Sequence, residues 1–288
     1  MVGSSVLTRA PLSPLSVRGK RFEWGTRTYL MGIVNVTPDS FSGDGVLDNP
    51  SALQMTLERL VTADCDIIDV GGESTRPGHT PVTEEEELAR VIPALTQLRG
   101  RTNLPISIDT FKPAVAERAI AAGADIINCV WGAPQQITQV AIARRVPLIV
   151  MHNQAHTSYE RDCTNEVIDW LRSQTETAIR AGLPAQHLIV DPGIGFGKTA
   201  VHNLEILTRL AEFKALAYPL LLGVSRKSFI GKLTGQDASH RAFGTAAAVS
   251  LGVAAGADIV RVHDAVEMRS VVQVADAIVR QRWDAALA

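Results

Sequence analysis

Short, nearly continuous apolar runs recur along the chain, most of them beginning after Gly, Pro or Asp and closing on a polar residue: LMGIVN, DIIDVGG, PISIDT, DIINCV, PLIVMHN, LIVDPG, LLLGVSR and DIVRVHD. Strands covered on both faces need such runs, whereas a half-exposed strand would alternate apolar and polar positions. Between these eight runs, apolar residues fall three and four apart, as on one face of a helix, over Ala52 to Val61, Glu84 to Leu98, Pro113 to Ala121 and Val167 to Arg180. Pro113 sits where a first helical turn tolerates its missing N–H. Phrases such as TADCDII, AAGADII, ARRVPLI and AAGADIV end a helix on small residues and start the next strand almost at once. The alternation predicts parallel pairing. Eight such units close most economically as a (β/α)8 barrel, an α/β TIM barrel in one domain, with right-handed crossovers placing the helices outside. The alternative is a doubly wound sheet, but no GxGxxG follows the first strand. A short antiparallel piece over Arg21 to Tyr29, turning at Gly25, is expected to cap the barrel base. Residues 1–20, rich in Ser and Pro, are expected to form a flexible N-terminal extension to a domain over 21–288.

Composition narrows the classes. Of 288 residues, 46% are hydrophobic and 20% charged, enough for a large core and too apolar for a disordered chain. With 28 Lys and Arg against 30 Asp and Glu, and no long basic run, nucleic acid is not an expected partner. The most apolar stretches, such as Gly244 to Ala257, are Ala- and Gly-rich and too short to span a membrane, so a soluble protein is expected. The first twenty residues hold no apolar core of a signal peptide. Cys65, Cys129 and Cys163 form no CxxC pair, which argues against disulfides and structural zinc and fits a reducing cytoplasm.

The chemistry gathers at the strand ends. The eight runs finish near Asn35, Asp69, Asp109, Asn128, His152, Asp191, Ser225 with Arg226 and Lys227, and Arg261 with His263. Each alone has a plain structural explanation, as a helix cap or a turn residue. In a parallel barrel all of them reach one rim, where the active sites of this architecture lie. Asp109, Asn128 and Asp191 offer two carboxylates and an amide, which suits a flat heterocycle with several N–H donors. Arg261, His263 and Arg76 form a cationic set suited to a phosphorylated leaving group.

Six segments in order strengthen that picture: MGIVNVTPDSFSGDG (Met31 to Gly45), DIIDVGGESTRPG (Asp66 to Gly78), SIDTFKP (Ser107 to Pro113), DPGIGFGK (Asp191 to Lys198), SRKSFIG (Ser225 to Gly231) and RVHD (Arg261 to Asp264). In these the chain resembles the dihydropteroate synthase family, over about Tyr29 to Val279. The resemblance implies a transferase of folate biosynthesis on a pterin-binding barrel. It would condense 6-hydroxymethyl-7,8-dihydropterin diphosphate with p-aminobenzoate, releasing diphosphate through an SN1-like pterin cation. Carried over residue by residue, Asp109, Asn128, Asp191 and Lys227 hold the pterin. Asn35, Arg76, Arg261 and His263 meet the diphosphate, with Asn35 beside Mg2+, the expected cofactor. Thr75, Pro77, Phe196, Lys227 and Ser228 form the p-aminobenzoate pocket, and Asp109, Lys227, Arg261 and His263 are the expected catalytic set. The resemblance further implies a homodimer and a target for sulfonamides, which some members resist. The Gly- and Ser-rich loops over Asn35 to Val46 and Gly71 to Pro81 are expected to close over the substrates.

One departure from the family pattern follows Asn128, where Cys129, Val130, Trp131 and Gly132 replace the usual Asp and small residues. Cys129 is expected to be a buried packing residue rather than a nucleophile, and Trp131 a loop anchor. Competing readings are a non-catalytic pterin-binding paralogue, a pterin-dependent methyltransferase barrel and a Schiff-base aldolase using Lys227. STRPG and SRKS speak against the methyltransferase, and the Arg226 and Ser neighbours of Lys227 give no desolvated lysine for the aldolase.

Overall fold

The computed structural model describes residues 12–37, 50–73 and 81–281. A two-stranded antiparallel hairpin, β1 (Leu15–Val17) and β2 (Lys20–Phe22), precedes every apolar run. The runs themselves form β3 (Tyr29–Asn35), β4 (Ile67–Gly71), β5 (Ile106–Asp109), β6 (Ile126–Cys129), β7 (Leu148–Met151), β8 (Leu188–Asp191), β9 (Leu221–Leu222) and β10 (Ile259–Val262). All pair in parallel in the order β8-β7-β6-β5-β4-β3-β10-β9. A further parallel bridge from Val190 to Leu220 joins the two ends, so the sheet closes on itself. Helices alternate with the strands: α1 (Pro50–Thr62), α2 (Glu84–Arg99), α3 (Pro113–Ala121), α4 (Gln135–Arg144), α5 (Cys163–Arg180), α6 (Ala200–Thr208), α7 (Ser228–Thr234), α8 (Ala242–Ala255) and α9 (Ala265–Arg280). This is the expected (β/α)8 barrel.

The unbroken apolar runs resolve into two alternating faces. One set of strand residues, including Leu30, Val34, Ile68, Val70, Ile106 and Ile108, packs in the layer shared with the helices. The other set, Tyr29, Met31, Ile67, Ile126, Ile149, Ile189, Leu221 and Ile259, fills the barrel's interior together with Leu15, Val17 and Phe22 of the hairpin. Each strand residue is therefore apolar because one face meets helices and the next meets the barrel axis.

The base of the barrel corrects the expected end of the N-terminal extension. Leu15 and Val17 are buried in the hairpin, while residues 1–11 lie outside the described residues. The hairpin turns at Arg18 and Gly19, both at positive φ (47° and 76°), and not at Gly25. Two successive left-handed residues match the twist of the flanking strands, which is why a two-residue loop works there. Gly25 makes a second turn, and Phe22, Trp24 and Tyr29 pack together below the barrel at centroid separations of 4.8–5.6 Å, Phe22 and Trp24 stacked and Tyr29 set at an angle to both. Because Phe22 is fully buried in this floor, Phe22→Ala is expected to destabilise the fold by about 3–5 kcal/mol; chemical denaturation measures it, and a cost below about 1 kcal/mol would show that the hairpin is an appendage.

The aspartates of the DII and DIV phrases also act at the base. Asp66 accepts the Leu30 N–H at 2.9 Å, Asp125 accepts the Ile106 N–H at 3.0 Å, and Asp258 accepts the Leu220 N–H at 2.9 Å. Each carboxylate ties the start of one strand to its neighbour. Arg27 and Lys20 neutralise Asp66, and Arg99 and Arg18 neutralise Asp125, so the lower rim is devoted to stability.

Candidate active site

The two-residue period of a strand places the next inward side chains above the isoleucine floor: Ile67 leads to Asp69, Ile126 to Asn128, Ile189 to Asp191, and Ile259 to Arg261. Register brings them level, because Asp109 pairs with Asn128 on one side and with Gly71 on the other. Arg261 occupies the centre. Its Nε donates to Asp69 Oδ2 at 2.6 Å and its Nη2 to Asp109 Oδ2 at 2.8 Å. Asp69, fully buried, also accepts from Asn128 Nδ2 at 3.3 Å, which turns the amide oxygen of Asn128 away from that carboxylate. Five strand ends thus meet in one polar cluster on an apolar floor.

Electrostatics mark two of these carboxylates. Burial pushes Asp109 up to about 7, against the lowering effect of Arg261 and with further raising by Asp69 and Glu87. Its Oδ1 is buried and has no hydrogen-bond partner. A buried polar atom without a partner is costly, and a donor supplied by a ligand would relieve that cost. Burial likewise pushes Asp191 up to about 6, while the Gly193 N–H donates to its Oδ1 at 2.7 Å and Lys227 and Arg261 lower it. Both groups are poised to gain from an N–H-bearing ligand in their ionised form.

The loop after β8 builds the adjoining wall. Gly193, Gly195 and Gly197 all have positive φ (69°, 84° and 55°), and an added Cβ at Gly193 would lie 1.9 Å from the His152 carbonyl oxygen. The close turn carries Phe196 to the rim, where the Lys227 ammonium sits 3.9 Å from its ring centroid. Lys227 precedes α7, and Ser228 is its exposed first residue. Across the rim, Ser225 Oγ lies 3.0 Å from His263 Nδ1 and accepts the His263 N–H at 3.1 Å. Arg226 pairs through two nitrogens with Asp264, which fixes the SRK segment against the RVHD segment.

The structure therefore brings together Asp109, Asn128, Asp191, Arg261, Phe196 and Lys227, with His263 and Ser228 on the same rim. Asn35 closes β3 opposite Gly71 on that rim. Thr75, Arg76 and Pro77 lie outside the described residues, as do residues 38–49 and 74–80 of the two loops expected to close. Arg261 is bound between the carboxylates of Asp69 and Asp109, and Arg76, its expected companion in the cationic set, lies outside the described residues. Trp131, expected to anchor its loop, is instead 42% exposed. Cys129 is fully buried and burial pushes its thiol up to about 12, in keeping with a packing residue.

Three groups were not assigned roles by sequence reasoning. Asp69 was visible as a strand-end carboxylate, but its two partners lie 59 and 192 residues away. Lys112 bridges Glu73 at 2.5 Å and Glu87 at 2.7 Å beneath the β4 loop, joining the GGES and DTFKP segments. Lys198, buried at the end of DPGIGFGK, contacts His152 Nδ1 at 2.8 Å and the Phe196 carbonyl at 2.9 Å. The only sequence signal for the last two was their place inside the six segments.

Comparison with known proteins agrees with this geometry. The pterin binding enzyme family matches residues 31–263. A dihydropteroate synthase of Clostridium beijerinckii is 42% identical over 270 residues, 93% of this chain and all of that protein. A Xanthomonas albilineans dihydropteroate synthase solved with 4-aminobenzoic acid superposes with a TM-score of 0.86 at 38% identity, covering 95% of this chain and 100% of that one. A Burkholderia cenocepacia dihydropteroate synthase complexed with 7,8-dihydropteroate gives a TM-score of 0.84 at 36% identity, covering 95% and 100%. With so large a share of both chains matched, this chain belongs to the dihydropteroate synthase family of pterin binding enzymes.

Proposed function

We infer that the chain condenses 6-hydroxymethyl-7,8-dihydropterin diphosphate with p-aminobenzoate to give 7,8-dihydropteroate and diphosphate. The observation that carries this reading is the buried cluster of Asp109, Asn128 and Asp191 around Arg261, beside a Phe196–Lys227 wall. Asp109 and Asp191 accept the ring N–H donors of the aminopyrimidinone, and the Asn128 oxygen adds a third acceptor. The unpartnered Oδ1 of Asp109 supplies one acceptor without breaking its bond to Arg261. Lys227 donates to a ring acceptor at the boundary of the two pockets.

In the reaction, the bond between the pterin methylene and the diphosphate oxygen breaks, and its electron pair leaves with diphosphate. The methylene cation is stabilised by the nearby Asp109 carboxylate. The p-aminobenzoate nitrogen then forms the new C–N bond and loses a proton. Thr75, Pro77 and Phe196 receive the ring of the second substrate, and Ser228 with Lys227 its carboxylate. Asn35, Arg76, Arg261 and His263 meet the diphosphate.

A magnesium ion fits this scheme as a guest of the substrate. Among the described residues no three His, Cys, Asp or Glu side chains gather to hold a metal, and Mg2+ commonly sits on phosphate oxygens and water with few protein ligands. Asn35 would provide its amide oxygen, and the ion when bound would neutralise leaving-group charge. No helix among the described residues is long and apolar enough to cross a membrane. Mass spectrometry of the reaction mixture tests the function: 7,8-dihydropteroate is expected only when both substrates are present, and its absence would overturn the reading.

Protonation should govern the first binding step. Since Asp109 and Asp191 accept from both oxygens, and most strongly, when ionised, pterin affinity is expected to weaken as pH falls through about 7 and about 6. The stability effect has the opposite sign: carboxylates raised above 3.8 bind more protons folded than unfolded, so their contribution to stability declines between 3.8 and about 7 as pH rises. Calorimetric titration of the pterin across this range checks the first effect, and a flat profile would contradict it.

Association into a homodimer is supported by exposed apolar side chains on two neighbouring helices. On α8, Phe243 is 88% and Leu251 71% exposed, and Leu233 at the end of α7 is 64% exposed. Large apolar side chains left open to water on adjacent helices are candidates for burial against a second copy. Phe243→Glu with Leu251→Glu is expected to convert a dimer to a monomer by light scattering; a wild-type monomer, or an unchanged dimer in the variant, would contradict the assignment.

A further inference from the structure

Lys198 is a lysine sunk beneath the active-site rim, 8% exposed, with a contact on each side. Its Nζ donates to the Phe196 carbonyl at 2.9 Å and lies 2.8 Å from His152 Nδ1. Burial and the neighbouring Lys198 hold His152 down at about 3, so the imidazole is neutral, and burial lowers Lys198 itself to about 7; when Lys198 is charged, His152 Nδ1 is the acceptor of its ammonium. His152 is in turn locked: its N–H donates to the Asp191 carbonyl at 3.0 Å, and its ring packs edge-on against Trp170 at 4.9 Å. The carbonyl of Gly197 is fixed as well, by the Tyr159 hydroxyl at 2.9 Å. Asn203 Oδ1 accepts the Gly195 N–H at 2.7 Å.

These contacts serve a loop that has little stiffness of its own. Three of its residues are glycines at positive φ, and glycine leaves the backbone many alternatives. The one large side chain it presents is Phe196, whose ring receives the Lys227 ammonium at 3.9 Å. The peptide that follows this ring is anchored from below by Lys198.

We propose that Lys198 is a positioning residue of the second-substrate pocket: clamped to His152, it holds the Phe196 carbonyl and thereby sets the ring of Phe196 against Lys227 where the aromatic amine binds. The proposal rests on the reading of Phe196 and Lys227 as the wall of the p-aminobenzoate pocket. It assigns a role to the last residue of the DPGIGFGK segment that is separate from pterin binding by Asp191.

A double-mutant cycle in the full-length enzyme tests it. Phe196→Ala is expected to raise KM for p-aminobenzoate about tenfold, Lys198→Met about as much, and the double variant little more than either, because both remove one positioned ring. KM for the pterin diphosphate should stay within about twofold of wild type in Lys198→Met. Lys198→Gln retains a donor for the carbonyl in a chain of similar bulk and gives a second route if the methionine variant does not fold; about a threefold rise in the p-aminobenzoate KM is expected for it. If Phe196→Ala raises that KM while both folded Lys198 variants leave it unchanged, the proposal fails and the pocket reading stands. If Phe196→Ala leaves it unchanged, the pocket reading fails and takes the proposal with it. Equal rises in both substrate KM values, additive with Phe196→Ala, would mean general loosening of the fold and would also overturn the proposal.

Discussion

Arg261→Met is expected to damage stability and activity together, and more severely at high pH than at low pH. The guanidinium is the shared partner of Asp69 at 2.6 Å and Asp109 at 2.8 Å, both buried in the barrel. Removing one member of a buried ionic group leaves uncompensated charge, at a cost of about 3–5 kcal/mol. Asp109, already raised to about 7 mainly by burial, loses its strongest stabiliser and holds its proton still more firmly. While Asp109 is neutral the missing cation matters little to it; as pH rises through about 7 its ionised form, stabilised by Arg261 in the wild type, becomes the liability. Turnover should fall at least about 100-fold, since the variant loses both the ordered pterin acceptors and the cation assigned to the leaving group. Denaturant unfolding at acid and at neutral pH, alongside kcat, measures this. A destabilisation independent of pH would contradict the central bridging role.

Asp191→Ala should show the reverse pattern, with binding lost and stability kept. In the free protein Asp191 is raised to about 6 because burial disfavours its charge, so its ionised form is a strain on the fold at neutral pH. Deleting it removes that strain, frees the Gly193 N–H that donates at 2.7 Å and takes a countercharge from Lys227 and Arg261. The pterin, in contrast, is left with unpaired donors at a buried position, a loss of about 1–3 kcal/mol or more, which corresponds to roughly 5- to 150-fold in affinity. Calorimetry with a pterin ligand and a thermal melt on the same preparation separate the two effects. Unchanged pterin affinity would remove Asp191 from the site.

Local patterns made the barrel legible while leaving its pairings hidden. Strands buried on both faces must be apolar throughout, so the runs ending at Asn35, Asp109 and Asp191 could be read directly, and Pro113 marked the start of α3 to the residue. The hairpin escaped because LSVRGKRF is only three residues per strand, and its turn at Arg18 and Gly19 lacks the usual Asn-Gly or Asp-Gly signature. The rim residues could be gathered from strand ends by topology alone. Their partners could not: Arg261 faces two carboxylates 192 and 152 residues earlier, which nothing in the RVHD segment signals. Lys198 and His152 meet across 46 residues in the same way. Such contacts depend on which strands become neighbours and at what height, which is a property of the closed ring.

The most direct measurement is the stoichiometry of product and diphosphate in a single-turnover reaction. Enzyme in excess over 6-hydroxymethyl-7,8-dihydropterin diphosphate should yield one diphosphate for each 7,8-dihydropteroate formed when p-aminobenzoate and Mg2+ are present, with 7,8-dihydropteroate appearing only when p-aminobenzoate is added. Unequal amounts of the two products with both substrates present, or no turnover under those conditions, would contradict a site in which the acids around Arg261 and the Phe196–Lys227 wall join the two substrates.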